Sequence, residues 1–339
     1  MAPPAVIERG SPTVIPNKSA PPLRASRLPS RVRLLILCLL NLGLHSALLT
    51  FTNNFLGNEM GAISRQPDAS REEDLPAVLI KLAPSIGYKL AIVWLGWKLN
   101  YDFFDISALT ALTNVPFAYL LTTYYNITPL TAAMLVINEI AAIAIPTYLL
   151  RPRSAVNNNK VPVRNRYLLQ STQVQTTSTL LAIGVYVTVL YSGITTGKLT
   201  EFLITHSNIP TLEPVHAEGP VNVIIKVLLA GFATKSFLLN PSIGATPASG
   251  DASPVEPFDP ATADLPQTVK HNFWNFSRRT RTLIKQTVVA SIFILVNTTR
   301  RTLSLKDTDT TGAVGYSSVW VLATIICGGW YVWVGDAES

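Results

Sequence analysis

The sequence predicts an all-α, polytopic transmembrane bundle of about eight spans, with disordered basic and proline-rich segments outside it. Three observations predict this. Of 339 residues, 48% are hydrophobic and only 14% are charged, against about 25% charged in soluble domains. The apolar residues fall into runs long enough to cross a ~30 Å hydrocarbon core at ~1.5 Å per helical residue. The basic residues behind the net charge of +7 flank those runs, as topology-setting charge does, and form no separate nucleic-acid-binding domain.

Residues 1–33 hold seven prolines, six Lys or Arg and one acid, which reads as a disordered basic tail. The prolines oppose the amphipathic helix that a mitochondrial transit peptide would need. The block 34–150 carries spans one to four, at 34–56, 76–99, 103–124 and 127–150. The first run lacks a small-residue cleavage site and reads as a retained anchor. Spans two to four are joined by very short turns and must be antiparallel neighbours. A basic loop at 151–174 follows, with Arg151, Arg153, Lys160, Arg164 and Arg166 and no acid up to residue 170.

Residues 175–240 carry spans five (175–193) and six (221–240) around a polar loop at 194–220. Residues 241–268 contain six prolines and read as a flexible linker. The segment 269–285 is basic and amphipathic. Lys270, Arg278, Arg279, Arg281 and Lys285 are its candidate contacts to anionic lipid head groups. The block 286–334 carries spans seven (286–299) and eight (313–334). Span seven, ~21 Å at the helical rise, is short and needs snorkelling flanks.

Charge bias sets the orientation. The tail and the 151–174 loop are strongly basic, whereas 57–75 and 194–220 hold two and one basic residues. Both chain ends are therefore expected in the cytosol, with Arg300, Arg301 and Lys306 on the disfavoured side. A retained anchor implies the endomembrane system, by default the endoplasmic reticulum, with a mitochondrial membrane as the minor alternative. Aromatic groups at span ends (Trp94 and Trp97, Tyr124 and Tyr125, Trp320, Trp330 to Trp333) read as interfacial belts.

Chemistry is expected at mid-depth. Span one places Asn41 and His45 there, span two Lys89, span three Asn114, and span four Asn138 and Glu139. Ser107, Thr110 and Asn114 form one polar stripe on span three. A charge at the bilayer centre costs ~3 kcal/mol on insertion scales, so Lys89 and Glu139 are expected to pair. Such a cluster is either a clamp between helices or a solute- or proton-linked site. Lys81, Lys226 and Lys235 are expected to snorkel.

Other chemistry finds little support. Cys38 and Cys327 lie inside apolar runs, and no CxxC or tight HxxxH spacing implies a metal. Glu201, His206, Glu213, His216 and Glu218 read as ordinary polar loop residues. The sequons at Asn17, Asn126, Asn275 and Asn297 fall against the membrane or in the cytosol, where no glycan is expected. No GxSxG, HExxH, phosphate-binding loop or dinucleotide motif is present. The sequence thus implies a bilayer partner, with anionic head groups in reach, and no nucleic acid, metal or cofactor. The expected function is a non-catalytic scaffold or assembly role, then an ion-coupled or small-solute transporter, then a lipid-metabolism enzyme.

Overall fold

A computed structural model describes residues 29–65, 75–154, 156–158, 171–239, 264–265 and 278–336. Ten helices occur among them: α1 (Ser30–Ile63), α2 (Leu75–Lys98), α3 (Phe103–Tyr124), α4 (Pro129–Leu150), α5 (Thr172–Thr195), α6 (Lys198–His206), α7 (Glu213–His216), α8 (Pro220–Leu239), α9 (Arg278–Thr302) and α10 (Thr310–Asp336). No β-strand occurs among these residues, and the one β-bridge joins Ser64 to Leu305. Seven of the helices are long and apolar enough over their described residues to cross a membrane. The chain is an all-α membrane bundle.

The helix limits follow from local chemistry. Asp102 caps α3 by accepting from the Phe104 and Asp105 amides at 3.0 and 3.2 Å, and Thr128 caps α4 ahead of Pro129. The tight turns on either side of α3 each use an asparagine in the left-handed region, Asn100 at φ 59 and Asn126 at φ 53. Asparagine tolerates that conformation better than most residues.

α3 is the axis of the bundle: 83% of its most apolar stretch is buried, against 11% for α1. Around it stand α4, α8 and α9. α1 lies outside α4, α5 outside α8, and α10 beside α9, while α2 fills the space between α1 and α9. α2 meets α3 through side chains, Tyr88 donating to Thr113 Oγ1 at 3.0 Å.

The helix ends gather on two sides. On one, Arg33 and Arg151 both lie over Trp97, and Arg151 donates to the Gly96 carbonyl at 2.6 Å and the Trp97 carbonyl at 3.1 Å. On the same side Tyr101 reaches Gln286, and Tyr331 reaches the Ser178 carbonyl. On the other, the Arg65 amide bonds the Ser304 carbonyl, Thr128 bonds Glu59, and the Asp309 amide bonds the His206 carbonyl.

Several expectations need correction. Span seven is not a fourteen-residue stub: α9 runs Arg278–Thr302, 25 residues, about 37 Å at the helical rise. Its first two turns are the end of the segment expected to lie along the interface, and they continue straight into the span. Lys270 lies outside the described residues, as do the tail up to residue 28, the linker at 241–263 and the loop at 159–170. Arg278 and Arg279 open α9, and Arg281 and Lys285 are exposed. The 194–220 loop contains the helices α6 and α7.

Half of the expected aromatic belt is core. Tyr124, Tyr125, Trp320 and Tyr331 are buried, whereas Trp94, Trp330 and Trp333 are exposed. Trp320 packs between Tyr119 and Tyr186, with ring centroids 5.6 Å from each. Lys226 does not snorkel to a head group: it is paired with Glu218 at 2.7 Å and bonded to Thr123 at 2.9 Å. Lys235 is buried above the Phe232 ring. The Lys81 side chain is outside the description.

Candidate functional site

Glu139 sits near the middle of α4, about 15 Å from either helix end at the helical rise. One carboxylate oxygen accepts from Lys89 Nζ of α2 at 2.8 Å. The other accepts from Arg301 of α9. His45 Nδ1 of α1 lies 3.7 Å from the first oxygen, too far for a hydrogen bond but close enough to feel the charge. Lys89, Glu139, Arg301 and His45 side chains retain 10, 11, 14 and 17% exposure. The cluster is enclosed without being sealed.

Arg300 extends it toward α3. Its guanidinium lies over the Tyr88 ring, 5.3 Å from the centroid, and donates to Ser85 Oγ at 2.7 Å and Asn297 Oδ1 at 2.9 Å. Its Nε is buried and lacks a hydrogen-bond partner. Asn297 in turn donates to the Thr113 carbonyl at 2.9 Å and to Asn114 Oδ1 at 3.1 Å. Arg301 lies over the Phe117 ring of α3 at 5.2 Å. Phe117 and Tyr88 offer aromatic faces that attract a guanidinium where water is scarce.

Of the residues expected at mid-depth, Lys89, Glu139 and His45 come together. Asn41 donates to the Ala142 carbonyl at 3.0 Å, and Asn138 to Thr52 Oγ1 at 2.6 Å. These two amides fasten α1 to α4 and do not touch the carboxylate of Glu139. Asn114 reaches the cluster only through Asn297 and Arg300. The stripe on α3 is mostly self-bonded: Ser107 donates to the Phe103 carbonyl, Thr110 to Ile106 at 2.7 Å and Asn114 to Thr110 at 2.7 Å. Hydroxyls within a helix readily turn back to the carbonyl one turn earlier.

Arg300, Arg301 and Asn297 carry the site and were not expected in it. Arg300 and Arg301 had been placed as a disfavoured flank. Both side chains instead turn inward from the last turn of α9, and Asn297 is fully buried and no glycan acceptor. Lys306, the third cation expected on the disfavoured side, bonds the Ala62 carbonyl at 2.6 Å. The only usable sequence signal was the charge itself: two adjacent arginines at the end of a short span need a counter-ion nearby.

The chain matches no protein-family model, no curated protein and no solved structure. The site must be read from its own chemistry. Among the described residues, Lys89 and Arg301 pair with the Glu139 carboxylate, and a third basic side chain, Arg300, lies beside them. A groove of about 460 Å³ lies elsewhere, where α5, α6 and α7 meet, lined by Ile194, Glu201, Ile204, Leu212, Val215 and His216.

Proposed function

We propose that this non-catalytic membrane protein binds and passes a small solute at the Glu139 cluster. The observation that carries this reading is the surplus of cations. A clamp between helices is cheapest when it neutralises itself, one lysine to one carboxylate, because uncompensated charge in a low-dielectric interior is costly. Here Arg301 joins Lys89 on a single Glu139, Arg300 stands beside them on Ser85, Asn297 and the Tyr88 face, and the Lys89, Glu139 and Arg301 side chains keep some exposure. Ionisable groups facing a bundle interior commonly mark solute pathways. Transport therefore moves ahead of the scaffold role ranked first from the sequence.

The scaffold reading keeps one specific support: Asn41, Asn138 and Asn297 all bond between helices, as packing amides do. A lipid-metabolism enzyme stays last, since no catalytic motif was found. We further propose cytosolic chain ends, from the charge bias of the tail and of 151–174, in an endomembrane.

Solvent access to the cluster separates transport from scaffold. Ser85 bonds Arg300, so Ser85→Cys puts a thiol at the edge of the site, with Cys38 and Cys327 replaced by Ala. A charged, membrane-impermeant thiol reagent should label this variant in sealed proteoliposomes. A folded variant that stays unlabelled from both sides would mean a dry clamp.

A further inference from the structure

We infer that the solute is a small dianion, bearing a phosphate or two carboxylate groups, and that it binds between α1, α2, α4 and α9. This rests on the transport reading above. The groups facing the site are His45 from α1, Tyr88 and Lys89 from α2, Glu139 from α4, and Arg300 and Arg301 from α9. α3 contributes no charged group, only Thr113 and Asn114, through Tyr88 and Asn297, and the Phe117 ring. With His45 neutral, the described groups carry three positive charges and one negative. The surplus of two matches a dianion.

Donor capacity points the same way. Glu139 takes one bond from Lys89 and one from Arg301, whereas an ammonium offers three donors and a guanidinium five. Arg300 keeps a buried Nε–H without a partner. Two neighbouring guanidinium forks suit a group with several closely spaced oxygens, and arginine is favoured where phosphate or carboxylate is read. A soluble anion and a lipid head group share this chemistry: Glu139 lies about 15 Å from either end of α4, but Arg300 and Arg301 reach it from the last turn of α9, and the phosphatidic acid comparison below separates the two sources. Glu139 holds Lys89 and Arg301 in place and offsets the third charge, which keeps the site from binding a trianion better than a dianion.

The test uses the purified full chain in neutral detergent, with its unfolding midpoint followed against inorganic phosphate, sulfate, succinate and chloride at constant ionic strength. Phosphate, sulfate or succinate should raise the midpoint saturably at millimolar concentration, and chloride should not. General salting-out by phosphate and sulfate does not saturate and ignores single substitutions. Glu139→Gln leaves three cations unopposed and should tighten binding by on the order of tenfold, the effect of one charge at this range. Arg300→Gln should abolish the saturable shift. Arg300→Lys, which keeps the charge but loses the fork, should weaken it and covers the case in which Arg300→Gln does not fold.

Equal shifts with chloride, or shifts indifferent to both Arg300 and Glu139, would overturn the proposal. So would stabilisation by phosphatidic acid alone, which would make the ligand a head group. If Ser85→Cys is labelled while no dianion binds, the solvated site takes another solute class and only this inference falls. An unlabelled Ser85→Cys removes the transport reading as well.

Discussion

Glu139 is held from α2 and α9, with α1 close by, and Glu59 shows how differently a carboxylate behaves at the rim. Glu59 lies past the apolar stretch of α1 and accepts from the Thr128 hydroxyl at 2.9 Å and amide at 3.2 Å. The Thr128 hydroxyl, then Thr131, holds its carboxyl below the ordinary value of 4.5. A depressed carboxyl stabilises the fold above its ordinary value and loses that contribution as pH falls through the folded value. The α1–α4 junction should thus keep its protection from hydrogen exchange down to about pH 4.5 and lose it progressively below. Glu59→Gln should remove that acid step. An identical acid profile in Glu59→Gln would show that the contact does not tie α1 to α4.

The same scale shows what was legible. Lys89 and Glu139 could be paired from sequence because each is a lone charge at mid-span, and the cost of leaving either alone is large. Arg301 could not be added, because its position depended on how far α9 continued. Lys226 looked like a snorkelling residue for a similar reason. Its partner Glu218 lies outside any apolar run, and only the fold brings the two together at 2.7 Å.

At the scale of elements, span lengths were legible where apolar runs were uninterrupted, as in α3 and α4, whose C-terminal limits agree with the sequence reading. They failed for α9, where Lys285 and Arg300 seemed to bound the helix but lie inside it. Hydropathy sees charge as an end, whereas a bundle with internal counter-charges lets the helix run on. Aromatic residues failed likewise: Trp320 and Tyr124 sit near span ends in sequence but face neighbouring helices.

Close helix approach offers the sharpest test here. A Cβ on Gly231 of α8 would lie 2.4 Å from Ile183 Cγ1 and 3.0 Å from the Ile183 backbone nitrogen of α5. Side-chain rotation cannot relieve the backbone contact. Gly231→Ala should push α5 and α8 apart and cost about 1–3 kcal/mol, read as a lower unfolding midpoint. Gly184→Ala, with nothing within 4 Å of its added carbon, is the matched control. Equal midpoints for the two variants would mean that the helices do not cross as described.

At the scale of the whole molecule, the described helices alternate between two sides, and the start of α1 and the end of α10 share one of them. Tags at residues 1 and 339 should therefore be cut by protease from the same face of sealed vesicles. Opposite accessibility would mean an odd number of crossings, with α9 or α2 failing to span. The expectation of an even count rests on charge bias, the basic tail and the basic 151–174 loop being separated by four apolar runs, and the tags test it. Which helices meet was not legible, since apolar runs of similar composition carry no address. The polar residues supply that address, and most lie in pairs far apart in sequence, such as Glu139 with Arg301 and Tyr186 with Thr324.

The convergence of α2, α4 and α9 on Glu139 is the central claim, and a mutant cycle on the stability of the purified chain tests it most directly. Glu139→Gln alone leaves Lys89 and Arg301 facing an amide and should cost about 3–5 kcal/mol. Adding Lys89→Met should recover only part, because Arg301 remains uncompensated. Adding Arg301→Met as well should recover most of the loss, as apolar replacement of directly paired buried ions often does, with Arg300 still bonded to Ser85 and Asn297. Additive losses through the series, with coupling below about 0.5 kcal/mol, would contradict the claim: the three side chains would not meet, and the bundle would be organised around something else.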